Sequence, residues 1–217
     1  MRTITIRGKG KSVKKPDLVI FDISLSITKE EFDDALDTIN ELINDLKLSL
    51  KDIGFNEEDL KTVDFEVEQD YDYVEKGIFN KEYKNKFKGF EITHDLKLEF
   101  DLDNDKISEV INCLKDFDEK LDFEIAFSVK DKELMKKEVL TNAAKNAKEN
   151  AEILAEATSS QLGDLLKIEY DWIDPDFESE TRFSRRGVIV KSSFRINNFN
   201  PVDIELSDSV TFVWELI

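Results

Sequence analysis

The sequence is poor in the residues that build most reactive centres, because its 217 residues include one cysteine, Cys113, and one histidine, His94. A single thiol cannot form an internal disulfide, and a cysteine-ligated zinc or iron–sulfur centre needs several more thiolates. One histidine can act as a general base only beside a nucleophile and an orienting group, and the sequence identifies neither. We therefore interpret His94 as a structural or surface residue and Cys113 as a small buried hydrophobe. No catalytic residue, cofactor or metal is predicted, and the protein is expected not to be an enzyme.

Long apolar runs and a targeting signal are also missing. No run approaches the ~20 apolar residues of a membrane-spanning helix. Near Met1 there is no charged segment followed by an apolar one, as a secretory signal would have. As read, the sequence predicts a cytoplasmic protein without membrane insertion, or a periplasmic or cell-surface protein if a signal was removed.

Basic residues are the minority among the charges: 31 are basic and 49 are acidic, which gives a net charge of −18. A field of that sign repels phosphate groups, so nucleic acids and anionic membranes are disfavoured as partners. The simplest role of the acidic surface is solubility.

What the sequence does contain is clear periodicity. Alternating apolar residues predict strands near residues 3–7, 18–27, 62–74, 83–100, 121–129, 165–172, 188–196 and 203–217. Helical spacing predicts helices near residues 28–53, 104–118 and 131–161, the last with an alanine face over residues 143–155. A strand–helix–strand order occurs at 18–67 and again at 92–129, so the chain is either one domain over 1–217 or two interlocked halves.

Local signals suggest where these elements begin and end. Thr28 and Glu31 have the spacing of a capping box, and Gly54 stands where a helix C-cap is expected. Gly8 and Gly10 interrupt the first strand pattern as a bulge or tight turn would. The Lys76-Gly77 region has the pattern of a hairpin tip.

Two apparent ligand motifs fail on their spacing. Gly10-Lys11-Ser12 resembles the end of a phosphate-binding loop, but Thr5 occupies the place of the earlier glycine. Asp101, Asp103 and Asp105 resemble the start of a calcium loop, but its sixth and twelfth positions hold lysine and asparagine. Capping of the following helix by Asn104 or Asp105 explains these acids better.

One basic, aromatic patch stands out in the acidic chain. It lies in a polar segment, 174–187, that predicts a mobile loop, and it consists of Arg182, Phe183, Arg185 and Arg186 around Ser184. We take these four residues as a candidate contact for an acidic partner, with an ordinary solvated loop as the alternative.

Three segments together resemble the SIMPL-domain family. They are Ile4-Thr5-Ile6-Arg7-Gly8-Lys9-Gly10 with Val13 and Pro16-Asp17; Ala143, Ala147, Lys148, Ala151, Leu154 and Ala155 with Leu162-Gly163 and Ile168; and Pro201 with Ile204, Leu206, Ser207, Val210, Phe212 and Glu215-Leu216. The chain differs from the family pattern at Ser159, where a glycine usually follows the long helix, and in lacking an export signal.

The resemblance implies an α+β fold of antiparallel sheets packed by helices, and a tendency to form ring-like or higher homo-oligomers. It implies no established enzymatic activity, and it links bacterial members to stress tolerance and animal members to kinase signalling. We therefore expect a non-enzymatic, oligomer-forming protein. The alternatives are a small-molecule binder or enzyme that uses acidic residues in a cleft, and an adaptor that presents the 174–187 loop to a protein partner.

Overall fold

The computed structural model describes residues 2–76, 82–171, 175–185 and 199–217. Over these residues the chain forms three α-helices and eight strands in two sheets, which confirms the α+β fold. The elements are β1 Arg2–Lys14, β2 Leu18–Lys29, α1 Phe32–Asp52, β3 Leu60–Lys76, β4 Glu82–Asp101, α2 Asn104–Leu114, β5 Leu121–Ser128, α3 Lys132–Ala157, β6 Leu162–Glu169, β7 Phe183–Arg185 and β8 Ile204–Leu216.

The chain divides into two compact units. The terminal unit comprises Met1–Asp17, Ser128–Glu180 and Pro201–Ile217, and the central unit comprises Leu18–Phe127 and Thr181–Asn200. Most of both strand–helix–strand segments, 18–67 and 92–129, lies in the central unit. That residues 1–217 form one domain, or two interlocked halves, stays a prediction.

In the terminal unit, helix α3 packs on a three-stranded antiparallel sheet of order β1-β8-β6. The alanine face forms this contact: Ala143, Ala147 and Ala151 are buried against Val210, Phe212 and Trp214 of β8. Small side chains let the helix backbone approach the sheet, and the large aromatic rings of β8 then supply most of the buried apolar surface.

Gly8 and Gly10 do not form the predicted bulge, because β1 pairs with β8 without interruption from Arg2 to Lys14. Their role is to make room for α3. A Cβ atom at Gly8 would lie 2.1 Å from the carbonyl oxygen of Ala143, and one at Gly10 would lie 1.9 Å from that of Val139. The two glycines are therefore sites of close strand–helix contact.

In the central unit, β2-α1-β3 and β4-α2-β5 interleave in one sheet of order β3-β4-β2-β5-β7. The first four strands have the strand order of a ferredoxin-like split βαβ arrangement. The helices bury their stripes against one face; on α1 the buried residues are Ala35, Ile39, Ile43, Leu46 and Leu50. Phe21 stacks at 5.7 Å on Phe100 in the same core.

Helix ends confirm one local prediction and correct two. Gly54 follows α1 with a φ of 96° and its N–H donates to Lys51, as a C-cap glycine does. Thr28 does not cap α1, because it lies within β2 and the N-cap is Glu31. The cap of α2 is Asp103 rather than Asn104 or Asp105, since its carboxylate accepts from the Asp105 N–H at 2.8 Å.

Helix α3 ends at a residue in the left-handed conformation that is not glycine. Ser159 has a φ of 56°, the left-handed conformation that the usual glycine would adopt. The Ser160 N–H donates to the Ala155 carbonyl at 2.9 Å, which closes the helix. Ser159 thus occupies the position where glycine is favoured at a helix end.

Residues 175–185, the described part of the predicted 174–187 loop, contain buried residues and a short strand. Phe177 and Ser179 are buried, and the Ser179 hydroxyl donates to the Val202 carbonyl at 2.6 Å. Residues 183–185 form strand β7, which pairs with β5 because Phe183 covers the core beside Phe123. The predicted strand 188–196 lies outside the described residues, as does Gly77 of the predicted hairpin tip.

Candidate interaction surfaces

Strands β3 and β4 form a long hairpin that pairs from Leu60 to Lys76. A register shift occurs between Asp70 and Tyr71, near Gly89, which has a φ of 151°. A Cβ atom at Gly89 would lie 2.1 Å from the carbonyl oxygen of Lys29, so only glycine lets the hairpin pass this close to the end of β2. The bulge strengthens the local twist of the hairpin.

One face of this hairpin, together with Phe32 at the start of helix α1, carries a row of exposed apolar residues, which we call the aromatic strip. Each member has 40–43% of its surface exposed: Phe32, Phe65, Val67, Tyr71 and Phe87. Ring contacts join much of the strip, since Phe87 lies 5.6 Å from Tyr71 and 5.4 Å from Phe90, and Phe90 lies 5.7 Å from Phe32. A contiguous row of this kind is typical of an interaction site, whereas single exposed apolar residues are ordinary.

The surroundings of the strip carry both signs of charge. Lys88 forms an ion pair with Asp70 at 2.8 Å beside the register shift, and Lys86 is exposed nearby. The opposite face of β3 is acidic, with Asp64, Glu66 and Glu68 all exposed. The hairpin therefore separates an apolar face from an acidic one.

His94 lies at the base of the hairpin, next to the strip. Its Nε2 is 2.9 Å from the Thr62 hydroxyl, its ring meets Phe65 edge-on at 5.2 Å, and its buried Nδ1 has no hydrogen-bond partner. Burial lowers the pKa of His94 below its usual range, with Asp95 opposing the effect and Lys47 adding to it. At neutral pH the ring is therefore uncharged and suited to an apolar setting.

A second exposed surface lies on strand β6 of the terminal unit. This strand pairs with β8 through two register shifts, and it exposes Leu165, Leu166 and Ile168. No strand among the described residues pairs with its other edge. The opposite sheet edge, on β1, forms hydrogen bonds to helix α3. The Lys9 N–H donates to the Asn146 side chain at 3.0 Å, and the Asn142 amide donates to the Lys11 carbonyl at 2.9 Å.

A third feature is an acidic groove of about 280 Å³ in the central unit. It lies on the sheet face away from the helices, because Asp22 and Ser24 alternate with the buried core residues of β2. Its carboxylates come from Asp22, Asp95, Asp122 and Glu124. Two of them pair with cations, since Lys97 lies 3.5 Å from Asp22 and Arg182 lies 3.6 Å from Glu124. Within the described part of the chain, no group of three or more His, Cys, Asp or Glu side chains is placed to hold a metal ion.

The predicted contact patch separates into residues with different surroundings. Arg182 is half-exposed and pairs with Glu124, and Phe183 packs on Phe123. Arg185 is only 6% exposed, with its guanidinium 3.4 Å from the Leu114 carbonyl, and Arg186 lies outside the described residues. A role for these four residues in partner binding stays a prediction.

Sequence reasoning did not find the aromatic strip, although its signal was present. The alternation of Phe65, Val67 and Tyr71 was read as a strand pattern with an apolar face. That pattern does not say whether a helix covers the face. Cys113 is only partly buried, in contact with the core cluster of the central unit.

Across the described ranges, no helix is long and apolar enough to cross a membrane. A family model described as "SIMPL: Protein of unknown function (DUF541)" matches residues 4–214. Comparison with curated proteins gave no match.

Proposed function

We propose that this chain, which belongs to the SIMPL family of proteins of unknown function, is a non-enzymatic protein that works as a homo-oligomer. Its copies assemble through the aromatic strip. The observation that carries the proposal is the exposed aromatic strip, in which Tyr71 contacts Phe87 and the partly buried Phe90 links Phe87 to Phe32 at the start of α1. A role in stress tolerance or signalling rests on the family resemblance.

Burial of the strip would supply the driving force. A fully buried Val, Phe or comparable side chain contributes roughly 1.5–3 kcal/mol relative to an exposed one. The strip residues are about two-fifths exposed, so at most roughly two-fifths of that contribution per residue is still to be gained on association. Aromatic residues are also the side chains most enriched at the centres of interfaces.

A second copy of the same chain suits the strip. The members of the strip carry no charge, and Lys88 and Asp70 beside the register shift already pair with each other, so the contact can be made of apolar side chains from both copies. Closed homo-oligomers with twofold interfaces are the commonest assemblies of soluble proteins. A net charge of −18 makes a contact centred on uncharged side chains preferable to one between acidic faces.

The test is sedimentation velocity on the unmodified chain and on two variants. Val67→Lys with Phe87→Lys places two charges in the strip and is expected to lower the particle mass below that of the unmodified chain. Leu48→Lys is the control, because Leu48 is 58% exposed on α1 and does not belong to the strip. Circular dichroism checks that both variants fold. If the strip variant keeps the mass of the unmodified protein, the strip is not the contact.

The acidic groove favours a second candidate, a binder of small cationic molecules. Four carboxylates around about 280 Å³ suit a small polyamine better than an anion. Calorimetric titration with spermidine should then show saturable binding that Asp95→Asn and Asp122→Asn each weaken. An absence of saturable binding to the unmodified chain removes this candidate.

A further inference from the structure

Strand β6 has an outer sheet edge that no strand among the described residues pairs with, and its sequence is self-complementary around Ile168. We propose that two copies of the chain pair their β6 strands antiparallel about a twofold axis at Ile168, which joins two three-stranded sheets into one. This inference rests on the proposed function in taking a second copy as the partner, and it assigns that copy a contact separate from the aromatic strip.

The sheet edges of the terminal unit determine which strands can pair. The order β1-β8-β6 leaves an outer edge on β1 and an outer edge on β6. Backbone groups of successive residues in a strand point to opposite sides. The Lys9 N–H and the Lys11 carbonyl that bond to Asn146 and Asn142 are therefore groups of the outer edge of β1, already occupied by helix α3.

Head-to-tail addition of β6 to β1 of another copy is thereby disfavoured. It would have to break both asparagine bonds in the middle of β1, where α3 lies closest to the strand at Gly10. Pairing of β6 with β6 breaks no hydrogen bond that the structure shows at that edge. An antiparallel pair of identical strands generates a closed twofold contact.

Pairing with a second β6 strand would bury exposed apolar surface of this strand. Ile168 is 55% exposed, and Leu165 and Leu166 are also exposed on this edge strand, beside its charged residues Lys167 and Glu169. An antiparallel pair centred on Ile168 places that side chain against Ile168 of the partner subunit. The most exposed large apolar side chain of the strand is then removed from water on both copies.

Charge fixes the register of this pair. Lys167 and Glu169 flank Ile168 on each side and form an ion pair with each other within the strand. In the pair centred on Ile168, Lys167 stands opposite Glu169 of the partner subunit, and Glu169 stands opposite Lys167 of the partner subunit. Opposite charges directly across an antiparallel pair are favourable, and like charges there are unfavourable.

Disulfide trapping tests the contact. Cys113→Ala removes the natural thiol, and Ile168→Cys then places one thiol at the twofold axis. Opposed residues in an antiparallel pair have Cα atoms about 4.5–5.5 Å apart, which a disulfide can bridge. Mild oxidation should give a covalent dimer from Ile168→Cys and little from the controls Val13→Cys on β1 and Leu48→Cys on α1. Equal trapping of all three variants, or none of Ile168→Cys, overturns the proposal.

Mixing of charge variants tests the register and separates it from any effect within one chain. Lys167→Glu and Glu169→Lys, each combined with Ile168→Cys, should cross-link at least tenfold more slowly alone, because each puts like charges across the pair. The two variants mixed should regain the rate of Ile168→Cys, since every cross-strand pair is again of opposite charge. Equal rates for separate and mixed variants contradict the register.

Failure here can be told apart from failure of the proposed function. An oligomer by sedimentation that does not trap at Ile168 retains the aromatic strip contact and rejects the β6 contact. A chain that is monomeric in every assay and does not trap rejects both. Trapping that persists in the Val67→Lys, Phe87→Lys variant supports the β6 contact as independent of the strip.

Discussion

At the scale of single residues, Ser159 shows how the chain meets a backbone requirement without the usual glycine. Its φ of 56° lies in the left-handed region, which costs a residue with a Cβ atom on the order of 1 kcal/mol. This conformation lets the Ser160 N–H donate to the Ala155 carbonyl, and that hydrogen bond closes the end of α3. A residue type that looks like a departure in the sequence thus preserves the geometry.

The first prediction follows from that strain. Ser159→Gly should raise the free energy of unfolding by about 0.5–1 kcal/mol, because glycine adopts the left-handed conformation without a Cβ clash. Urea denaturation measures the change. Ser160→Gly is the matched control, since Ser160 does not have a positive φ and glycine there should destabilise through backbone entropy. A stability gain for Ser160→Gly equal to that for Ser159→Gly contradicts the explanation.

At the scale of elements, the contact between β1 and α3 determines how the terminal unit packs. The alanine face and the two strand glycines act together, since neither alone would let backbone approach backbone. The sequence showed both features, but as separate patterns about 130 residues apart. The structure shows that both features form one contact, because β1, paired with β8, lies against α3 at Gly8 and Gly10.

The second prediction belongs to this contact. Gly8→Ala should destabilise the chain by about 1–3 kcal/mol or more, because its Cβ atom would lie 2.1 Å from a helix carbonyl that cannot rotate away. The matched control is Gly163→Ala on β6, whose Cβ atom would meet the flexible end of Ile217 at 3.1 Å and should cost little. Equal destabilisation of the two variants in urea would mean that the close contact does not limit the packing.

The helices and strands also show which features of the fold can be predicted from the sequence. The spacing of the α1 stripe and the position of Gly54 predicted a helix that ends at the right place, because both signals are local. Thr28 and the 183–185 segment were misread because distant partners decide their state: Thr28 pairs in the sheet with Glu91, and Phe183 lies against Phe123. Exposure of the aromatic strip was also beyond the sequence, since it depends on how far along this face of the hairpin the helices reach.

At the scale of the whole molecule, the two units present different means of association. The central unit offers uncharged aromatic rings on a long hairpin, and the terminal unit offers a strand edge with a symmetric charge pattern. Two separate contacts between identical copies can build a larger closed assembly than either contact alone. The acidic surface then keeps such an assembly soluble and discourages other associations.

The native mass in solution tests the central claim most directly. Light scattering on the unmodified chain, over a tenfold range of concentration, should give a multiple of the 25.2 kDa chain mass. A particle of 25.2 kDa throughout that range would contradict the account, because the aromatic strip would then stay in water with no second copy to cover it.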